Sequence, residues 1–246
     1  MSVEGALLFG RYAFPPNRLG YCGPEDYQAL FDYVASHRAD QGLLELERRF
    51  EGAYPYLKLI AAANHLADPF DRRVVEAYWI GNSCLKKVGP RSFYQSLDER
   101  FRARTPRRTF EWLASKVAAG AKPHHNFHVF EVYTRAGLMK DDRAPILLKT
   151  MDNCRISWGK VVGETGPELL VERPALALQA GKLALTWPVV ERVARQFEGR
   201  GFADQARTGD FVSIHWNWAC EVLTPGALQR LIRSTHYYLK LANQTL

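Results

Sequence analysis

From Arg155 onward the chain is cut into short runs rich in β-branched residues, each bounded by a turn signal, and this limits its fold most severely. Residues 155–162 and 168–172 flank Glu164-Thr165-Gly166-Pro167, and residues 175–178 and 183–186 flank Gln179-Ala180-Gly181-Lys182. A Gly209-Asp210 turn feeds a further run, Phe211 to Trp216. Runs this short with Gly-bearing turns read as hairpins, and several in close succession predict a small barrel that hides its own edges. Residues 188–196 fit strand or helix equally well. Thr224 and Pro225 then open a helix that presents Leu228, Leu231, Ile232 and Leu239 on one stripe.

The earlier part of the chain has a different period. Gly23-Pro24-Glu25-Asp26 starts a helix carrying Leu30, Phe31 and Val34. Residues 43–66 read as a longer helix kinked at Pro55, where a backbone donor is missing. Asp68-Pro69, Gly89-Pro90 and Thr105-Pro106 open three more, and short polar loops between them predict an antiparallel bundle. Residues 9–24 are dense in aromatic residues, Pro and Gly, which predicts a structured loop. The fold class expected is therefore α+β: a helical domain over residues 1–150, then residues 151–246 as a small OB-like β-barrel with a C-terminal helix.

Composition excludes several classes. No stretch approaches the ~18 consecutive apolar residues of a membrane span, so no membrane partner is expected. The first residues lack the pattern of a secretory signal, and four dispersed cysteines suit a reducing compartment, so a cytoplasmic protein is expected. The net charge of +7 is concentrated only at Arg100, Arg102, Arg104, Arg107 and Arg108. A solvated helix corner explains that cluster more simply than phosphate contact, and no nucleic-acid-binding motif accompanies it.

Two stretches carry chemistry. Cys154 stands before the first strand outside any Cys-x-x-Cys pair, which suits a soft metal ligand or a nucleophile better than structural zinc. Such a cysteine is expected to be solvent-reachable and partly thiolate. His215 ends the strand after Gly209, so cysteine and histidine, each beside a short strand, could face one another. Trp216 and Trp218 follow it, as core or as interface. The second stretch is Pro123-His124-His125-Asn126-Phe127-His128, in which His124 and His128 share a face as strand or as helix and offer half of a metal site. A hydrogen-bonded histidine pair or a partner surface is the alternative. Cys22 is an inert loop cysteine or a further thiolate ligand.

The residues Cys154, Gly159, Lys160 and Val161 resemble the Cys-x4-Gly-Lys/Arg-Val opening of the HypC/HupF chaperones of [NiFe]-hydrogenase maturation. Gly209-Asp210-Phe211-Val212, His215 and Ala219 resemble that family's second conserved stretch, and the resemblance covers residues 151–246. It differs in that Cys154 lies deep inside the chain and that Trp158 stands where the family has Pro. The resemblance implies an accessory chaperone that holds or delivers iron, as an Fe(CN)2CO unit, through the Cys154 thiolate. It implies the hydrogenase large subunit and other maturation proteins as partners. His215 would bond the thiolate or shuttle a proton, and Trp216 and Trp218 are the candidate partner contacts. The competing reading is a metal-dependent enzyme built on His124, His125 and His128.

Overall fold

The first helix, α1 (Val3–Arg18), is buried on almost every side. Ser2 caps it by accepting from the Gly5 N–H at 3.2 Å. Its sequence, Ala-Leu-Leu-Phe-Gly-Arg-Tyr-Ala-Phe, is apolar all round, the pattern of a helix enclosed by other elements. The loop expected over residues 9–24 is therefore helix as far as Arg18. Pro15 and Pro16 remove donors near its C-terminal end, where the ladder is ending anyway. The computed structural model, which describes residues 2–132 and 144–246, packs α1 against both halves of the chain.

Helices α2 (Tyr27–Ala35), α3 (Gln41–Arg48), α4 (Tyr54–Ala63) and α5 (Arg72–Trp79) follow, with α2, α3 and α5 lying directly on α1. The long helix expected over residues 43–66 is two helices. Pro55 sits in the first turn of α4, where its missing N–H costs nothing, so it starts a helix instead of kinking one. The short α6 (Cys84–Lys87), then α7 (Pro90–Phe101) and α8 (Arg107–Ala118), complete this part. A single turn α9 (His125–Phe127) runs into a π-helical turn, His128–Val132. Helix α10 (Ala144–Cys154) leads into the strands.

Strands β1 (Ser157–Thr165) and β2 (Glu168–Arg173) form the first hairpin, and β3 (Leu176–Gln179) and β4 (Lys182–Leu185) a separate one. The ambiguous stretch after Pro188 is β5 (Val189–Ala194), followed by the short pair β6 (Gln196–Phe197) and β7 (Arg200–Gly201). Strands β8 (Phe211–His215) and β9 (Trp218–Val222) precede the closing helix α11 (Pro225–Ala242). Hydrogen bonding runs β1-β2-β5-β9-β8 and returns to β1, with β5 meeting β9 through one bridge, Ala194 to Trp218. The expected α+β organisation holds: helices first, then a sheet and a closing helix. Val161, Leu169, Val171, Val193, Val212 and Ile214 fill the space inside these strands. No helix among the described residues is long and apolar enough to cross a membrane.

The larger core takes residues from both sides of Thr150, from Phe9 and Phe14 on α1 to Trp158, Trp218 and Leu231. The division expected after residue 150 falls inside α10. Trp218, offered by the sequence as a partner contact, is 2 % exposed and packs among Phe14, Phe31 and Phe202. It is a core residue, because the period-two alternation of β9 turns it toward α1.

Candidate metal centre

Each element around Cys154 is fixed by a local cause. Strands β1 and β8 pair antiparallel, Ser157 opposite Ile214 and Lys160 opposite Phe211, so the two stretches singled out by sequence lie side by side. On its other edge β1 packs closely on β2 at Gly159, where a Cβ would sit 2.4 Å from Val171 Cγ1 and 2.9 Å from the Glu172 carbonyl. The Trp216 N–H continues the contact by donating to Asn153 O at 2.7 Å. Asp152 anchors the end of α10. Its Oδ1 accepts from Arg155 Nε at 2.8 Å and from the Leu176 N–H at 2.9 Å, while its Oδ2 meets the Arg173 guanidinium. Cys154 is thus held by a buried ionic cluster on one side and a strand pair on the other.

The histidine segment arrives from across the core, under α11. His124 is extended (φ −120°, ψ 151°) and caps α9 by accepting the Asn126 N–H on its Nδ1 at 3.0 Å. Helical geometry begins only at His125, so His124 and His128 do not share the face that a regular segment would give them. The His124 ring stacks on Tyr238 of α11 instead, 5.4 Å between centroids. His125 turns the other way. Its Nε2 lies 2.7 Å from the Cys154 carbonyl oxygen and 3.9 Å from Cys154 Sγ.

His215 completes the cluster. One ring nitrogen from each of His125 and His215 and the Cys154 sulfur lie within 4.8 Å of one another, all three residues buried. The His215 Nδ1–H donates to the Tyr12 carbonyl at 2.6 Å, which leaves Nε2 as the lone-pair nitrogen. That carbonyl is available because of the sequence of α1. Its helical donors would be residues 15 and 16, and both are proline. Metal-ligating histidines are usually held in this way, with the second ring nitrogen tied to a carbonyl or carboxylate.

Burial sets the charge state of the rings. It lowers His215 to about 4 and pushes His125 well below the ordinary imidazole value, with His215 adding to the effect on His125. Both are neutral at pH 7 and offer lone pairs. His128, lowered by burial to about 4, lines the same cavity. This cavity, of about 90 Å³, is walled by Tyr78, Trp79 and Phe50 beside the three candidate ligands. At its mouth the exposed Tyr21 ring stacks on Trp216, 4.1 Å apart and 18° from parallel. Trp216 and Asn217 form the tight turn between β8 and β9, with φ of 49° and 57°.

The donor set suits a metal ion. Metal–sulfur and metal–nitrogen bonds of about 2.3 and 2.0–2.1 Å place tetrahedral neighbours about 3.5 Å apart. The 3.9 Å from Cys154 Sγ to His125 Nε2 is a few tenths longer. His215 is already oriented; His125 must move its proton from Nε2 to Nδ1, which has no hydrogen-bond partner among the described residues. A cysteine–histidine nucleophile fits less well. Cys154 closes α10 at the negative end of its dipole, and both neighbouring rings are neutral.

The profile of a family described as a family of unknown function, DUF6390, matches residues 1–246. The chain belongs to that family. No curated protein and no solved structure matches it.

In this family member the structure brings Cys154 and His215 together, as the flanking strands suggested, and turns His124 away. Cys154 itself is buried and faces a small partly open cavity, where the sequence suggested a solvent-reachable thiol, because Pro16 of α1 and the Tyr21 segment help wall it. Cys22 lines the mouth of that cavity and is an exposed residue. Sequence reasoning gave the metal ligands as His124 and His128, counted His125 only in the competing enzyme reading, and missed Tyr12, Trp79 and Tyr21. The consecutive prolines at 15 and 16 were the available signal for Tyr12, since they imply a free carbonyl one turn earlier.

Proposed function

We propose that this chain is a metal-handling accessory protein in which Cys154, His125 and His215 hold the metal beneath the Tyr21–Trp216 pair. The convergence of those three ligand atoms within 4.8 Å carries the reading. Bound there, the metal supplies the positive charge that a thiolate in this wall needs. Tyr12 orients His215, Asp152 positions the Cys154 end of α10, and the aromatic walls exclude water.

The finer reading is a maturation chaperone with an OB-like barrel that carries iron, as an Fe(CN)2CO unit, to a [NiFe]-hydrogenase large subunit. It is supported by the resemblance of the Cys154 and Gly209 stretches to the HypC/HupF pattern and by the antiparallel pairing of those stretches. A soft thiolate suits such cargo. Trp216 at the cavity mouth, beside the exposed Tyr21, is where an acceptor protein would approach. The second reading, a metal-dependent enzyme, is favoured by His125 and His128 lining one cavity that leaves coordination space beside Cys154.

Infrared spectroscopy on chain isolated from its native host, with metal analysis, tests both. Cyanide and carbonyl stretches lost in Cys154→Ser, together with failed hydrogenase maturation in a strain carrying that variant, are expected of the chaperone. Full maturation by Cys154→Ser would sink it. Bound metal without those stretches, surviving Cys154→Ala but lost with the histidine cluster, would favour the enzyme.

A further inference from the structure

The three candidate ligands leave a tetrahedral ion one position short, and the cavity shows what belongs in it. A divalent ion, one thiolate and two neutral imidazoles sum to a single positive charge. Among the described residues lining the cavity there is no carboxylate, and its walls are mostly aromatic. A lone charge in such surroundings is costly unless a counter-charge enters with it. The walls also hold buried donors without acceptors. Trp79, 4 % exposed, lines the cavity with its ring 4.8 Å from that of His125 and 5.7 Å from that of His215. Its Nε1 has no hydrogen-bond partner among the described residues, and neither has Nε1 of Trp216 at the mouth. Unpaired buried donors are rare and point to an acceptor that the chain does not supply.

Volume limits the guest. A cavity of 150 Å³ accommodates benzene, so about 90 Å³ suits roughly four non-hydrogen atoms. We infer that the cavity takes a small monoanion of two to four non-hydrogen atoms beside Cys154, its inner atom on the metal and its outer atom accepting from the Trp79 indole N–H. The inference rests on the reading that Cys154, His125 and His215 hold a metal, and not on the Fe(CN)2CO cargo, whose six ligand atoms exceed this volume. It defines the chemical class of the exogenous ligand: singly charged, compact, and a hydrogen-bond acceptor at the end away from the metal. The Tyr21–Trp216 stack then closes over it and excludes larger anions.

The full chain loaded with Co²⁺ provides the test, since thiolate and imidazole ligation gives cobalt visible ligand-field and charge-transfer bands. Azide and formate are the probes and benzoate the oversized control. Azide should shift the cobalt bands along a saturable curve, formate should compete with it, and benzoate should do neither. Trp79→Phe should bind cobalt as the wild type does but weaken azide about tenfold, the loss of one hydrogen bond to a charged acceptor. Trp216→Phe should weaken it less. Cobalt bands that azide leaves unchanged, or that benzoate shifts equally, overturn the anion inference and leave the metal reading standing. Azide binding unaltered by both indole replacements overturns it too. Absence of cobalt bands in the wild type overturns both readings together. If Trp79→Phe does not fold, Trp216→Phe and the size selection of the wild type still decide.

Discussion

Replacing Pro16 with alanine separates the stability of α1 from the set of the metal ligands. In the native chain neither residue 15 nor residue 16 has an N–H, and the Tyr12 carbonyl accepts from His215 Nδ1 at 2.6 Å. The substitution would return a helical donor to that carbonyl. Alanine is favoured over proline by about 3 kcal/mol in a helix interior, and by less in the last turn, where Pro16 lies. If the new donor displaces His215, a buried N–H loses its partner at a cost of about 1–3 kcal/mol. The two effects nearly cancel, so the melting temperature should move little. Metal affinity should not be spared. Loss of the group that orients a ligating histidine typically weakens binding 10–100-fold, or about 1.4–2.8 kcal/mol. Competition of wild type and Pro16→Ala against a chromophoric chelator for Zn²⁺ or Co²⁺ measures this directly. A clear rise in melting temperature with unchanged affinity would refute the reasoning. It would mean that the carbonyl accepts from both donors at once, as its two lone pairs permit.

Tyr12→Phe makes the complementary point: the hydroxyl bonds Ser213 and Glu221, not His215, so stability should fall by about 1–3 kcal/mol in urea unfolding with metal affinity retained. Asp152→Asn removes the carboxylate that pairs with buried Arg155 and one of the two that pair with Arg173, which keeps Glu191, and should destabilise the apo chain by about 3 kcal/mol, read by denaturant unfolding. His124 and His215, lowered to about 4 in the folded chain against an ordinary 6.5, bind protons more readily when unfolded. Their contribution to stability is therefore intact above about pH 6.5 and declines as pH falls toward 4. The loss is on the order of 1 kcal/mol per pH unit for each, and His124→Gln should flatten a urea series across that window. Asn217→Gly relieves a left-handed side-chain residue in the β8–β9 turn and should raise the melting temperature slightly, whereas Trp216→Gly should open the cavity and speed metal loss to a chelator.

Whatever depends on neighbours a few residues apart could be read from the chain alone. Its period changes near residue 150 mark the passage from helices to strands, and the Gly209-Asp210 turn marks where the strand that ends in His215 begins. These features placed Cys154 just before one strand and His215 at the end of another, which made their meeting legible, although the helix that Cys154 closes was not read from the sequence. Long-range packing set what depends on the other side of the core. Only packing shows that α1 is enclosed, so its Gly and Pro read as loop until β8, β9 and α5 surround it. Only packing selects His125 over His124, because a single extended residue before α9 turns one ring onto Tyr238 and the other onto Cys154. The burial of Cys154 and Trp218, and the cavity with its unpaired indole donors, likewise arise from contacts among residues far apart in the chain. Local patterns fix which way a backbone runs; which side chain meets which is settled by the shape of the whole core, and the ligand set belongs to that second kind.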